Sequence, residues 1–154
     1  MTFSIVIPTY NGEIFLANAI ESALSQTRPA DEIIVADDNS SDSTIDIASR
    51  YADRVRVCRH EGPSGFVNGW NKAIAYAKCD FIAILHQDDL LHPDFLKEAE
   101  RVLTFSPVAT MWTVTEKSSE RQFRPTAPCD DSRGVSTLMP TCHMATRTSI
   151  AARE

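Results

Sequence analysis

Short apolar runs alternate with amphipathic stretches from residue 3 to residue 114. Phe3-Ser-Ile-Val-Ile-Pro8 is rich in β-branched residues and ends on proline, which predicts a strand. Beyond the turn Thr9-Tyr10-Asn11-Gly12, the residues Leu16, Ala19, Ile20, Ala23 and Leu24 recur at helical spacing, and Gln26-Thr27-Arg28-Pro29 closes that helix. A second strand, Ile33 to Ala36, runs into Asp37-Asp38-Asn39-Ser40-Ser41-Asp42, a segment of turn and capping residues. A helix through Ile45, Ala48 and Tyr51 follows, then a short strand from Val55 to Cys58. Pro63-Ser64-Gly65 leads into a helix with Phe66, Trp70, Ala73, Ile74 and Ala77 along one side. A strand over 81 to 85, a helix over 94 to 104 that buries Phe95, Leu96, Ala99, Val102 and Leu103, and a strand from Ala109 to Val114 complete the series.

Such β-α alternation predicts an α/β protein of three α/β/α layers, with a mostly parallel sheet covered on both faces and right-handed crossovers. From residue 115 the pattern weakens. Glu116 to Arg121 is polar and Arg124 to Gly134 is full of breakers, so a long loop is expected, with a last element around Met139 to Thr146. The division this suggests is an α/β core over 1–114 and a loop-rich region over 115–154.

Composition narrows the class. At 154 residues, 43% hydrophobic and 23% charged, the chain is an ordinary globular protein with one sizeable core. No apolar stretch approaches the roughly 18 residues of a membrane span. Met1-Thr2-Phe3-Ser4 lacks the basic segment of a secretory signal, so the expected location is the cytoplasm. The net charge of -6 lies early: residues 1–114 carry 9 Lys and Arg against 16 Asp and Glu, and residues 115–154 carry 6 against 5. An acidic body without a basic stripe argues against a nucleic acid polymer as a backbone-bound partner, but not against a single nucleotide held through a metal. Cys58, Cys79, Cys129 and Cys142 have none of the spacings typical of zinc sites and read as reduced thiols, the pair near His143 included.

The candidate chemistry sits at strand ends. Asp88 and Asp89 follow Asp80-Phe-Ile-Ala-Ile-Leu and precede the helix-start signal His92-Pro93-Asp94, which places paired acids at the carboxyl end of a buried strand. Asp37 and Asp38 end the earlier strand in the same way. In open α/β sheets ligands bind outside those strand ends. Close carboxylates with little basic charge nearby suit a hard divalent cation such as Mg or Mn. The competing reading is that such acids favour helix N-termini through the macrodipole, and Asp94 is best explained that way.

Ser4-Ile-Val-Ile-Pro-Thr-Tyr-Asn11, Glu32-Ile-Ile-Val-Ala-Asp-Asp-Asn-Ser-Ser-Asp-Ser-Thr44, Gly65 with Asn71, and Gln87-Asp-Asp-Leu-Leu-His-Pro-Asp94 stand in the order and spacing of one family. The combination resembles the family-2 glycosyltransferases, over residues 3 to about 105 and faintly from 139 to 148. The resemblance implies the GT-A fold, a Rossmann-like architecture for nucleotide-diphosphate sugars. It also implies transfer of a sugar, with inversion and metal assistance by Mn or Mg, to the hydroxyl of a glycan, lipid-linked or protein acceptor. Polysaccharide or cell-envelope glycan synthesis is the setting it suggests, with peripheral membrane association left open.

Carried over by position, Pro8, Thr9, Tyr10, Asn11, Asp37, Asp38, Gly65, Asn71 and Asp88 would bind the nucleotide. Tyr10 would lie against the base, or else cover the core edge as a turn residue. Asp38 would accept a hydrogen bond from a base ring N–H, which favours UDP or TDP donors. Asp37 would help hold the nucleotide or cap the following helix. Asp88 and Asp89 would divide ribose and cation between them, the assignment left open, with both as candidate metal ligands.

The sequence departs from the family pattern in four places. His86 stands where the acid motif often begins with another Asp, and reads equally as a strand residue or a ligand. Trp70 replaces an Arg before Asn71, and Pro63 replaces an Asn before Gly65. The catalytic base, a Glu or Asp in the family, is expected beyond Glu154, since Asp130 and Asp131 read as solvated loop acids. Two other functions compete: a donor-binding module or fragment without turnover, and a phosphoacceptor signalling domain. The latter needs a solitary strand-end Asp with a strand-end Lys, which this pattern lacks.

Overall fold

The computed structural model describes residues 1–61, 65–105, 111–113, 124–125 and 149–152. In chain order the elements are β1 (Phe3–Thr9), α1 (Leu16–Leu24), β2 (Glu32–Asp37), α2 (Thr44–Ser49), β3 (Arg56–Arg59), α3 (Phe66–Ala75), β4 (Phe81–Ile84), α4 (Phe95–Phe105), β5 (Met111–Thr113), β6 (Arg124–Pro125) and β7 (Ser149–Ala152). They build one sheet in the order β3-β2-β1-β4-β7-β5-β6. The first four strands are parallel. The remaining three extend the sheet through antiparallel pairs.

β1 is central and apolar on both faces. Phe3, Ile5 and Ile7 pack with Ile33, Val35, Ala83 and Leu85 under α1, α2 and α4. Val6 packs on the other face with Ile34, Ala36, Ile82 and Ile84 against Ala73 and Ala77 of α3. The two-residue period of a strand divides these side chains between two cores, which is why β1 reads as a continuous apolar run. Each fully buried Ile or Leu contributes about 1.5–3 kcal/mol of transfer free energy. The expected helical faces are present: Leu16, Ala19, Ile20 and Ala23 are buried on α1, and Phe95, Leu96, Ala99 and Leu103 on α4.

Several details differ from the sequence expectation. β3 lies one residue later than expected. Within the anticipated loop, Arg124–Pro125 pairs with Trp112 and Thr113, too short a strand to show any period. β7 was not anticipated: it inserts between β4 and β5, with Ala83 opposite Ile150, and Ser-Ile-Ala-Ala offers a single large apolar residue as signal. The element expected at Met139 to Thr146, Pro63, Cys129, Cys142, His143, Asp130 and Asp131 lie outside the described residues.

The sheet's amino end is tied by Arg28. Its guanidinium lies 4.8 Å from the Phe3 ring centroid, 2.6 Å from Asp31 Oδ2 and 3.4 Å from Glu100 Oε1. Asp31 in turn accepts the Phe3 N–H at 2.8 Å. Burial opposes the charged form of Asp31, but the Phe3 amide and Arg28 outweigh it and hold its pKa below the ordinary 3.8. A depressed folded pKa gives stability that is present above the unfolded value and lost as pH falls through the folded one. Urea midpoints measured downward from about pH 5, above the unfolded Asp value, are expected to fall less steeply for Asp31→Asn than for the unaltered chain.

Candidate functional site

The strand order reverses beside β1: β2 and β3 lie to one side and β4 to the other. Such a switch point opens a crevice at the carboxyl ends of the strands. The register places Thr9 opposite Asp37, and Leu85 N donates to Val6 O at 2.9 Å, so β1, β2 and β4 deliver their terminal residues side by side.

The β1 turn and the β2 loop interlock. Asn11, at φ 47°, donates its N–H to Ser40 Oγ at 2.9 Å and accepts the Ser41 N–H on Oδ1 at 2.9 Å. Gly12 N donates to Thr44 Oγ1 at 2.8 Å, and Ser43 N donates to Glu13 at 3.0 Å. Pro8 closes the apolar run and is half-buried, whereas Tyr10 projects with 58% of its surface exposed. An exposed aromatic ring on a fixed turn is suited to stacking on a planar ligand.

The neighbouring acids Asp37 and Asp38 have different surroundings. Asp37 is wholly buried, accepts the Ser40 N–H at 3.0 Å and the Ser40 hydroxyl, and lies 3.5 Å from Arg59 Nε. Its carboxylate braces the loop, while Ser43 occupies the N-cap position of α2. Asp38 is half-buried, on the face covered by α3, and its backbone N–H donates to Thr9 O at 2.9 Å. A Cβ placed on Gly69 of α3 would lie 3.2 Å from both Cγ and Oδ2 of Asp38. The helix therefore closes on Asp38 because residue 69 has no side chain. Gly65 precedes α3 at φ 72°, a conformation that favours glycine, and Asn71 is exposed on the helix.

Beyond β4 the chain turns at once, Asp89 N donating to His86 O at 3.1 Å. Asp88 is exposed on this turn and Asp89 is half-buried. Burial pushes the Asp89 carboxyl above its ordinary 3.8; His86 pulls it back and Asp88 adds to the rise. Among the described residues no three His, Cys, Asp or Glu side chains gather into a metal cage. Two adjacent carboxylates nonetheless suit Mg or Mn, which take one or two carboxylates and complete their shell with phosphate oxygens and water. His86 is half-buried and meets Trp70 edge to face, with ring centroids 4.6 Å apart, so two of the departures from the family pattern touch each other.

Gln87 and Gln26 were not singled out by the sequence, and both act through backbone contacts. Gln87 also accepts the Thr9 hydroxyl at the end of β1, and bonds both backbone groups of Tyr10 just beyond it. Gln26, buried at the end of α1, donates to His92 O at 2.8 Å and accepts the Leu96 N–H at 3.1 Å, which fixes the start of α4 behind the acid turn. A buried glutamine at a helix end is the one signal that would have found the latter.

The family described as Glycosyl transferase family 2 matches residues 4–153, and the chain belongs to it. The putative glycosyltransferase EpsH of Bacillus subtilis (strain 168) is 35% identical over 101 residues, covering 64% of this chain and 29% of EpsH. The Escherichia coli UDP-Glc:alpha-D-GlcNAc-diphosphoundecaprenol beta-1,3-glucosyltransferase WfgD is 38% identical over 88 residues, 56% of this chain and 35% of WfgD. The chain thus spans about a third of the length of these curated relatives. S. aureus TarS 1-349 in complex with UDP superposes with a TM-score of 0.69 at 26% identity, covering 88% of this chain and 38% of that TarS 1-349 chain. The fold is that of the GT-A glycosyltransferases.

Gly69→Ala adds a methyl group against Asp38 while removing a helix glycine that costs about 0.5–1 kcal/mol relative to alanine. The expected result in thermal unfolding is an unchanged or higher melting temperature, whereas a fall of several degrees would show that Asp38 cannot give way to the added methyl.

Proposed function

We propose that this chain is the donor-binding part of a glycosyltransferase that takes a sugar from a UDP or TDP donor and passes it, with inversion, to an acceptor hydroxyl. The observation that carries the reading is the convergence of Tyr10, Asp38 and the Asp88–Asp89 turn at the carboxyl ends of β1, β2 and β4, around the switch point. The UDP named with TarS and the UDP-glucose named with WfgD support the choice of donor.

In this reading Tyr10 lies on the base face and Asp38 accepts its ring N–H, a pairing that suits uracil or thymine. Pro8, Thr9 and Asn11 shape the wall beside the base, and Asp37 contributes by holding Ser40 and the loop in place. Gly65 and Asn71 line the α3 side, and Asp88 reaches ribose or cation. Asp89, with Asp88, would hold Mn or Mg. When bound there, the cation would offset the negative charge of the nucleoside diphosphate leaving group. Inversion requires a base for the acceptor proton, and we assign that base to no described residue. Residues 1–114 then form most of the donor core, to whose sheet β7 adds a strand, and residues 115–154 otherwise begin the acceptor side. The acceptor class is a glycan, lipid-linked or protein hydroxyl, met in the cytoplasm or at the membrane surface. No helix among the described residues is long and apolar enough to cross a membrane.

Calorimetric titration of UDP and TDP sugars with Mn present is expected to give saturable binding that drops at least roughly tenfold when EDTA removes the metal, and equally in Asp89→Ala. Affinity indifferent to both metal and Asp89 would end this reading.

A further inference from the structure

Gln87 lies between the two halves of the site and touches a part of each. Its amide carbonyl Oε1 accepts the Thr9 hydroxyl at 2.6 Å and the Tyr10 N–H at 2.8 Å, while its Nε2 donates to Tyr10 O at 3.2 Å. The two-point bond to one residue's backbone fixes which way the amide faces, since only this orientation sets a donor against the carbonyl and an acceptor against the N–H. It also satisfies both polar backbone groups of Tyr10 from a single side chain. On the neighbouring turn Gly12 leaves the space: a Cβ there would lie 2.5 Å from Gln87 Oε1 and 2.9 Å from Thr9 Oγ1. Gln87 is therefore seated in a fitted slot across β1 and β4, where the strand order reverses.

The geometry points to Gln87 as a positioning residue for donor binding: it sets the backbone of Tyr10, and hence the ring that meets the base, relative to the acid turn that meets the diphosphate. This rests on the donor-binding reading above. A side chain holding one half of a ligand site from within the other fixes the distance between them, so its loss lowers affinity for a ligand spanning both halves and spares one that occupies a single half. Met is close to Gln in volume and offers no such hydrogen bonds.

The test is calorimetric titration of UDP and of inorganic pyrophosphate, each with Mn, on the full chain and on Gln87→Met, Tyr10→Ala and the double variant. Gln87→Met is expected to weaken UDP roughly tenfold and to leave pyrophosphate within about twofold. In the double variant the loss is expected to fall well short of the product of the single losses, because Gln87 acts through Tyr10. Equal weakening of both ligands, or independent effects of the two substitutions, would overturn the role of Gln87 while leaving the donor reading standing. Absence of Mn-dependent UDP binding in the unaltered chain would overturn both. Should Gln87→Met fail to fold, Gln87→Glu keeps the shape and sets an oxygen against Tyr10 O, and the same loss of UDP affinity with uridine and pyrophosphate spared is expected; uridine or pyrophosphate weakened as much as UDP there would count against the proposal.

Discussion

Burial of β1 on both faces is the constraint on which the site depends. With Phe3, Ile5 and Ile7 committed to one core and Val6 to the other, a slip of one residue would exchange the two sets and leave neither packed. That locked register with β2 and β4 decides which residues emerge at the carboxyl ends: Thr9 and Tyr10 from β1, Asp37 and Asp38 from β2, Gln87 and the acid turn from β4. The site is thus a consequence of core packing carried a few residues past the last strand hydrogen bonds.

Alternation also explains why two adjacent acids have different roles. Asp37 shares the face of Ile33 and Val35, where the loop folds back and Ser40 and Arg59 engage its carboxylate. Asp38 shares the face of Ile34 and Ala36, where the missing side chain of Gly69 leaves its carboxylate room beside α3. The first acid holds the loop so that the second keeps its place. A comparable division operates after β4, where His86 turns to Trp70 and Gln87 turns to Thr9 and Tyr10.

The strands β1, β2 and β4 and the helices α1, α3 and α4 were legible because burial imposes a period of two or of 3.6 on apolar residues, and the acid pairs were legible because they directly follow those runs. β6 and β7 were not, since a two-residue strand and Ser-Ile-Ala-Ala carry no period; their partners, which register alone selects, are distant in sequence. Gln87 showed no role of its own in the sequence because its partners, the Thr9 hydroxyl and the Tyr10 backbone, lie 78 and 77 residues away. Asp37 illustrates the same limit: its residue type allowed a ligand or a cap, and only the fold showed its carboxylate bracing Ser40.

A crystal structure of this chain grown with UDP and Mn addresses the central claim most directly, because it reports both halves of the site at once. The account predicts the uracil ring against Tyr10 with its N–H on Asp38, and the diphosphate and metal at Asp88 and Asp89. Nucleotide bound away from the switch point between β1 and β4, or metal seated on residues other than this acid pair, would contradict it.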